Sequence, residues 1–244
     1  MAGNVNEPIP AERLPKHVAI ILDGNGRYAK AHGLTRPQGH KAGADNVETI
    51  SDACIELGIP YLTVYAFSTE NWKRSEEEVS YLMGLMRWYL KNYMATALRK
   101  GIRMRVIGDR SKLDPEMVAE IEKDERETAH LTNLNLTFAI NYGSRDEITR
   151  AVREIAGDVQ SGKTEPDKIT EEMITQHLDT HMLPDPDLLI RTSGEERLSN
   201  FLLWQLAYSE FCFTPEFWPE FTPEDLREAV LNYASRERRF GGRK

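Results

Sequence analysis

An excess of basic charge, any patterned use of cysteine and a long apolar run are all missing from this chain of 244 residues. Its 31 lysines and arginines are outnumbered by 39 aspartates and glutamates, for a formal charge of −8. Neutralising a phosphate backbone needs the opposite balance, so nucleic acid is not an expected partner. Cys54 and Cys212 stand alone, without Cys-x-x-Cys or Cys/His spacing, which excludes a disulfide framework and suggests no zinc site. No apolar run approaches the about 20 residues that span a bilayer. Residues 1–15, with three prolines, Glu7 and Glu12, lack a basic-then-apolar signal pattern and read as an N-terminal extension. A soluble cytoplasmic protein is expected. With 40% apolar residues and no repeat or linker, residues 16–244 suit one domain with a real core.

Short β-branched runs recur at Val18–Leu22, Tyr61–Phe67, Ile102–Ile107, Leu134–Ile140 and Leu188–Ile190, with a further one near Phe211–Phe213. Between them lie segments of helical character: Lys41–Leu57, Glu76–Leu98, Pro115–Thr128 and Asp146–Ala156, then Pro223–Arg239 opened by Thr222 as a cap. Gly157–Asp167 reads as a surface loop. Alternating strands and helices predict an α/β domain with a mostly parallel central sheet flanked by helices.

The unusual polar residues follow the strands. Asp23–Arg27, Ser68–Arg74, Asn141–Arg145 and Arg191–Ser199 each sit after the carboxyl end of a run, and in a parallel sheet those ends share the edge where ligands bind. Asp23-Gly24-Asn25-Gly26-Arg27 places a carboxylate, flexible amides and a guanidinium in one turn, which suits a metal-bound diphosphate; an ordinary tight turn has the same composition. It has neither the Gly-Lys-Ser/Thr of a Walker loop nor the Gly-x-Gly-x-x-Gly of a dinucleotide fold. Arg36 and His40 precede a helix whose N-terminus favours an anion, although surface solvation explains such a pair as well. Arg191 and Arg197, among hydroxyls and Gly194, form a second phosphate cradle or a loop paired with Glu195 and Glu196.

Leu82, Leu85, Met86, Tyr89, Leu90, Tyr93, Met94 and Ala97 make an apolar stripe at helical spacing, which fits core or the wall of an apolar cavity. Phe201–Tyr208 is apolar on most sides and reads as a buried or interface helix, with Glu210 after it. The C-terminal 236–244 is locally basic and reads by default as a solvated tail.

With these residues laid out, the chain resembles the cis-prenyltransferases, in particular the bacterial undecaprenyl diphosphate synthases. The resemblance runs from His17 to Gly242 through five ordered blocks: His17–Arg27, Arg36–Gly43, Tyr65–Arg74, Asp187–Glu210 and Arg236–Gly242. An Asp-Asp-x-x-Asp motif, which would mark the unrelated all-trans synthases, is absent. Leu22 and Tyr28 depart from the commonest pattern, which has methionine and tryptophan there.

The resemblance implies a Mg²⁺-dependent enzyme that adds isopentenyl diphosphate units to an allylic primer such as farnesyl diphosphate, with an apolar product channel. It implies that Asp23 is catalytic and holds the metal, and that Glu210 is a second metal ligand. Gly24, Asn25, Gly26, Arg27 and Tyr28 then form the primer turn, and Arg36 and His40 contact diphosphate. Ser68, Thr69, Glu70, Trp72 and Arg74 contact substrate, while Asn71 matches a proposed proton acceptor. Arg191, Arg197, Leu198 and Ser199 fit an isopentenyl diphosphate pocket. A homodimer and loose membrane contact through the lipid product also follow from it. A non-catalytic partner subunit of this fold is the main rival, and it typically lacks the turn aspartate that stands here as Asp23. A nucleotide-dependent phosphotransferase is weaker, for want of a nucleotide signature.

Overall fold

Six parallel strands, β1 (His17–Ile21), β2 (Tyr61–Ser68), β3 (Ile102–Ile107), β4 (Leu134–Tyr142), β5 (Leu188–Arg191) and β6 (Glu210–Phe213), form one sheet in the order β3-β4-β2-β1-β5-β6. This is a computed structural model and describes residues 9–236, so 1–8 of the extension and 237–244 of the basic tail lie outside the described residues. Both faces of β1 are covered: Val18 and Ile20 join the large core cluster, Ala19 and Ile21 the smaller one, and none is more than 6% exposed. That two-sided burial is why the strands read as continuous apolar runs rather than alternating ones.

From β1 the chain passes to β2, then out to the edge strand β3 and back to β4 between them, before crossing to β5 and β6 on the other side of β1. The reversal leaves a crevice above the carboxyl ends of β1 and β5, the usual ligand position in such sheets. The helices are α1 (Asn25–Ala31), α2 (Arg36–Leu57), α3 (Glu76–Lys100), α4 (Pro115–Thr128), α5 (Ser144–Gln160), α6 (Glu171–Gln176) and α7 (Pro223–Ala234). No described helix is long and apolar enough to cross a membrane.

The sequence reading needs correction in five places. The turn after β1 winds into α1, because Gly24 takes φ 107°, a left-handed backbone that only glycine adopts freely, and caps the helix from Asn25. α2 begins at Arg36 rather than Lys41: Thr35 and Gln38 form a capping box and Pro37 fills the first turn, so Arg36 and His40 lie inside the helix. Phe201–Tyr208 is a chain of turns rather than a helix, since Ser199, Asn200 and Leu202 all have positive φ. Finally, the expected Pro223–Arg239 helix ends at Ala234 and the expected loop at Gly157 is still helix through Gln160.

Candidate active site at the strand crevice

Asp23 sits just past β1, held by its own main chain. Its N–H donates to the Thr192 hydroxyl (3.1 Å), and that hydroxyl donates to the Asp23 carbonyl (2.7 Å). The same carbonyl accepts from the main-chain N–H of Trp218 (2.9 Å), whose buried indole donates to the Gly43 carbonyl of α2 (2.7 Å). Side-chain rotation is therefore the freedom left to Asp23. Its Oδ2 accepts from Arg191 (2.8 Å) and its Oδ1 from Arg27 (3.2 Å). Burial alone pushes the carboxyl up, but the two guanidiniums outweigh it and hold Asp23 below the usual carboxylate range. It is an anion throughout the neutral range.

Arg191 is 3% exposed at the end of β5 and is anchored further by the Ser199 hydroxyl (2.8 Å) and the Arg197 carbonyl. Arg27 donates to the Ser193 carbonyl (2.9 Å) and pairs with Glu195 (3.2 Å), which also pairs with Arg197. The cradle is thus closed over carboxylates, and any incoming anion would compete with Asp23 and Glu195 for the same donors. A Cβ on Gly24 would stand 2.8 Å from the Ser193 hydroxyl, so the position requires glycine on steric as well as backbone grounds.

The opposite wall comes from α2 and α3. Glu78 accepts from Arg36 (2.7 Å) and Arg74 (2.8 Å), and His40 Nε2 stands 3.6 Å away. Burial, then Arg74 and Arg36, lower His40 below its ordinary value despite Glu78, so the imidazole is neutral at pH 7. Glu78 itself is raised by burial but lowered more by its cations. Its role is not marked in the sequence, where Glu78 is only one residue of the expected Glu76–Leu98 helix.

Together these groups enclose a cavity of about 430 Å³ lined by Asp23, Gly24, Asn25, Gly26, Arg27, Arg36, His40, Arg74 and Glu78, with Leu22 and Lys30. It adjoins a smaller apolar cavity of about 80 Å³ between α2, α3 and the sheet, and the two share Leu22, Asn25 and His40. Leu82, Leu85, Met86, Tyr89 and Leu90 of the predicted stripe line the apolar cavity, whereas Tyr93, Met94 and Ala97 are buried core.

Other predicted residues stand at the same sheet edge without lining the charged cavity. Asn71 Oδ1 accepts from the Ser68 N–H (3.0 Å) in a capping box, and Trp72 donates to Asn141 (2.7 Å). Glu70 accepts from Asn200 (2.9 Å) and from Thr69 (3.1 Å), tying this loop to the one after β5. Tyr28 lies against His32, ring centres 4.3 Å apart, and Leu198 packs on the smaller core cluster.

Glu210 is not brought to Asp23 within one chain. It opens β6 and is level with Leu188 of β5, itself level with Val18 of β1. Five residues of strand, about 16 Å, separate that level from Asp23. Glu210 instead pairs with Arg236. Magnesium takes hard oxygen donors, usually one or two carboxylates plus substrate phosphates. Asp23, kept ionised, and Asn25 Oδ1, buried without a hydrogen-bond partner, match that donor set. Among the described residues no cluster of three or more His, Cys, Asp or Glu offers an all-protein cage.

The prenyltransferase family model described as "Putative undecaprenyl diphosphate synthase" matches residues 21–241. An isoprenyl transferase of Agrobacterium fabrum is 54% identical over 93% of this chain and 92% of its own length. One of Clostridium perfringens is 49% identical over 95% and 91%. Among solved structures, lavandulyl diphosphate synthase from Lavandula x intermedia, in complex with dimethylallyl diphosphate, superposes with a TM-score of 0.91 at 40% identity, over 94% of this chain and 99% of that one. A probable undecaprenyl diphosphate synthase from Campylobacter jejuni gives 0.77 at 35% identity, over 93% and 98%. With its carboxylate and arginines gathered at the crevice of this fold, the chain belongs to the undecaprenyl diphosphate synthase family and is a prenyltransferase.

Proposed function

We propose that the protein condenses isopentenyl diphosphate onto an allylic diphosphate, farnesyl diphosphate being the expected primer, in a Mg²⁺-dependent reaction that leaves cis double bonds and builds a long-chain product of the undecaprenyl type. The observation that supports this reading is the juncture of the charged and apolar cavities at Leu22, Asn25 and His40. A molecule that is diphosphate at one end and hydrocarbon at the other fits that junction, whereas a polar nucleotide leaves the apolar arm unused.

Departure of the allylic diphosphate develops negative charge on its oxygens, so catalysis depends on cations fixed where that charge grows. Arg27, Arg36, Arg74 and Arg191 supply them. Bound magnesium, held by Asp23 with Asn25 as a second oxygen donor, would neutralise charge on the leaving group. Asp23 orients that ion, and the Thr192 and Trp218 contacts hold Asp23 in place. Carbon–carbon bond formation releases a proton from the isopentenyl unit. Asn71 is a weak base, so we assign it the positioning of the group that takes this proton. The wall from Leu82 to Leu90 keeps water from the chain as it grows.

A homodimer belongs to the same proposal, since Glu210 contributes to a metal at Asp23 only when it comes from a second copy. A cytoplasmic protein that touches membranes loosely through its product follows from the lipid nature of that product. The test is incubation with farnesyl diphosphate, labelled isopentenyl diphosphate and Mg²⁺ beside Asp23→Ala, with product lengths resolved. A metal-dependent cis-polyprenyl ladder lost in the variant supports the reading. No product from folded protein with any short allylic primer overturns it in favour of a partner subunit.

A further inference from the structure

The outer edge of the sheet carries a second basic cavity, remote from Asp23. β3 presents Ile102, Met104 and Val106 to the large core cluster, so Arg103 and Arg105 project from the opposite face. With Arg110, His181, Met182 and Leu183 they line a cavity of about 270 Å³. Arg105 is level with Thr137, Thr63 and Ala19 across the sheet. That places it three strands from β1, about 14 Å sideways, and four residues below Asp23.

The carboxylates in this cavity are already engaged. Asp179 accepts both arms of Arg150 (2.8 and 2.7 Å) and the Gly108 N–H (3.0 Å). Glu125 accepts from Arg110 (2.7 Å) and the Val106 N–H (2.9 Å), closing the sheet edge against strand addition. Among the described residues neither Arg103 nor Arg105 pairs with any carboxylate within 4 Å. Arg105 Nε is buried without a hydrogen-bond partner, and so is the hydroxyl of Thr137 beside it in register. Two like charges at alternate positions of one strand repel, and a half-buried guanidinium donor left unsatisfied is costly. Glu125 attracts Arg105 from beyond ion-pair distance but is already shared with Arg110, so a local excess of cation remains in a chain of net charge −8.

We propose that this cavity is a phosphate-binding site, taking inorganic phosphate or the phosphoryl end of a small phosphate monoester. The guanidiniums of Arg103 and Arg105, neither in an ion pair, match the nearly doubly negative charge of such a group and present donors in the fork geometry that tetrahedral oxyanions accept. A monocarboxylate would leave one guanidinium uncompensated. The inference does not rest on the proposed prenyl transfer.

The test is a titration of ¹⁵N-labelled full-length protein with inorganic phosphate, ionic strength held constant with sodium chloride, followed through the amides of Arg103–Ile107 and of Met182 and Leu183. Saturable shifts are expected there, with the apparent affinity at least ten-fold weaker in Arg105→Gln and in Arg103→Gln; if one variant does not fold, the other decides. Glucose 6-phosphate in place of phosphate distinguishes a monoester site from one that admits only the free ion, and either ligand supports the site. Absence of saturation at these amides overturns the proposal. So do equal affinity in a folded variant and an equal response to sodium acetate. Because these amides lie far from Asp23, loss of prenyl transfer in Asp23→Ala leaves the result unaffected.

Discussion

The guanidinium of Arg191 closes on the carboxylate of Asp23 at 2.8 Å, across the crevice where the strand order reverses. This ion pair joins the two strand ends that the topology sets side by side, and it sets the charge state of the aspartate. Arg191→Gln keeps a donor but removes the charge. The Asp23 carboxyl should then titrate higher, and the acid limb of the rate profile should move to higher pH, with turnover down about 100-fold. The stability sign follows from the same contact. Asp23 titrates lower in the folded state than in the unfolded one, so the pair stabilises above the unfolded value, and that contribution is lost as pH falls through the folded one. A shallower acid limb in the melting temperature of Arg191→Gln checks this.

Glu78 holds Arg36 and Arg74 and borders His40, so it both positions these cations and competes with a diphosphate for them. In Glu78→Gln the local charge rises by one. Inorganic diphosphate should bind about five-fold tighter, corresponding to about 1 kcal/mol, while kcat falls because the arginines lose their registration. Calorimetric titration beside steady-state kinetics separates the two effects. Weaker binding together with lower kcat would show that positioning outweighs competition.

Asp124 faces inward from α4 at 1% exposure, and neither carboxylate oxygen has a hydrogen-bond partner. Burial, then Glu120 and further neighbouring carboxylates, push its carboxyl up to about 7. A folded value above the unfolded one means that the folded state binds the extra proton, so stability contributed by Asp124 is present at low pH and is lost as pH rises from about 4 to about 7. Asp124→Asn should therefore melt about 3 °C higher at pH 8, with the gain gone at pH 4. Thermal denaturation at the two pH values measures it.

The strands were legible because two-sided burial gives short β-branched runs such as Val18–Ile21, and the shared polar edge followed from parallel pairing. What escaped the sequence was set by tertiary contact. The third glutamate of an acidic turn is a cation hub only because α2 brings Arg36 to it. The Phe201–Tyr208 run has a helix's composition, yet left-handed Ser199, Asn200 and Leu202 bend it so that Arg191 reaches the Ser199 hydroxyl. Glu210 belongs to the right motif block but starts its strand, and no spacing rule tells which end of a short strand a residue occupies.

Leu85 tests the proposed elongation path. It lies on the α3 wall of the apolar cavity with Met86 and Tyr89, which opens from the charged cavity holding Asp23 and Arg27. On the proposed reaction, a diphosphate held at Arg27 and Arg191 would direct its hydrocarbon along this wall, and each added unit would push the chain end further between α2 and α3. Leu85→Trp adds bulk at the wall without touching the charged groups. Product analysis should show a shift to shorter chains by at least one isoprene unit, with the first condensation little changed, because diphosphate binding is intact. An unaltered length distribution would place the growing chain outside the α2–α3 cavity and remove the Leu82–Leu90 face from the elongation path.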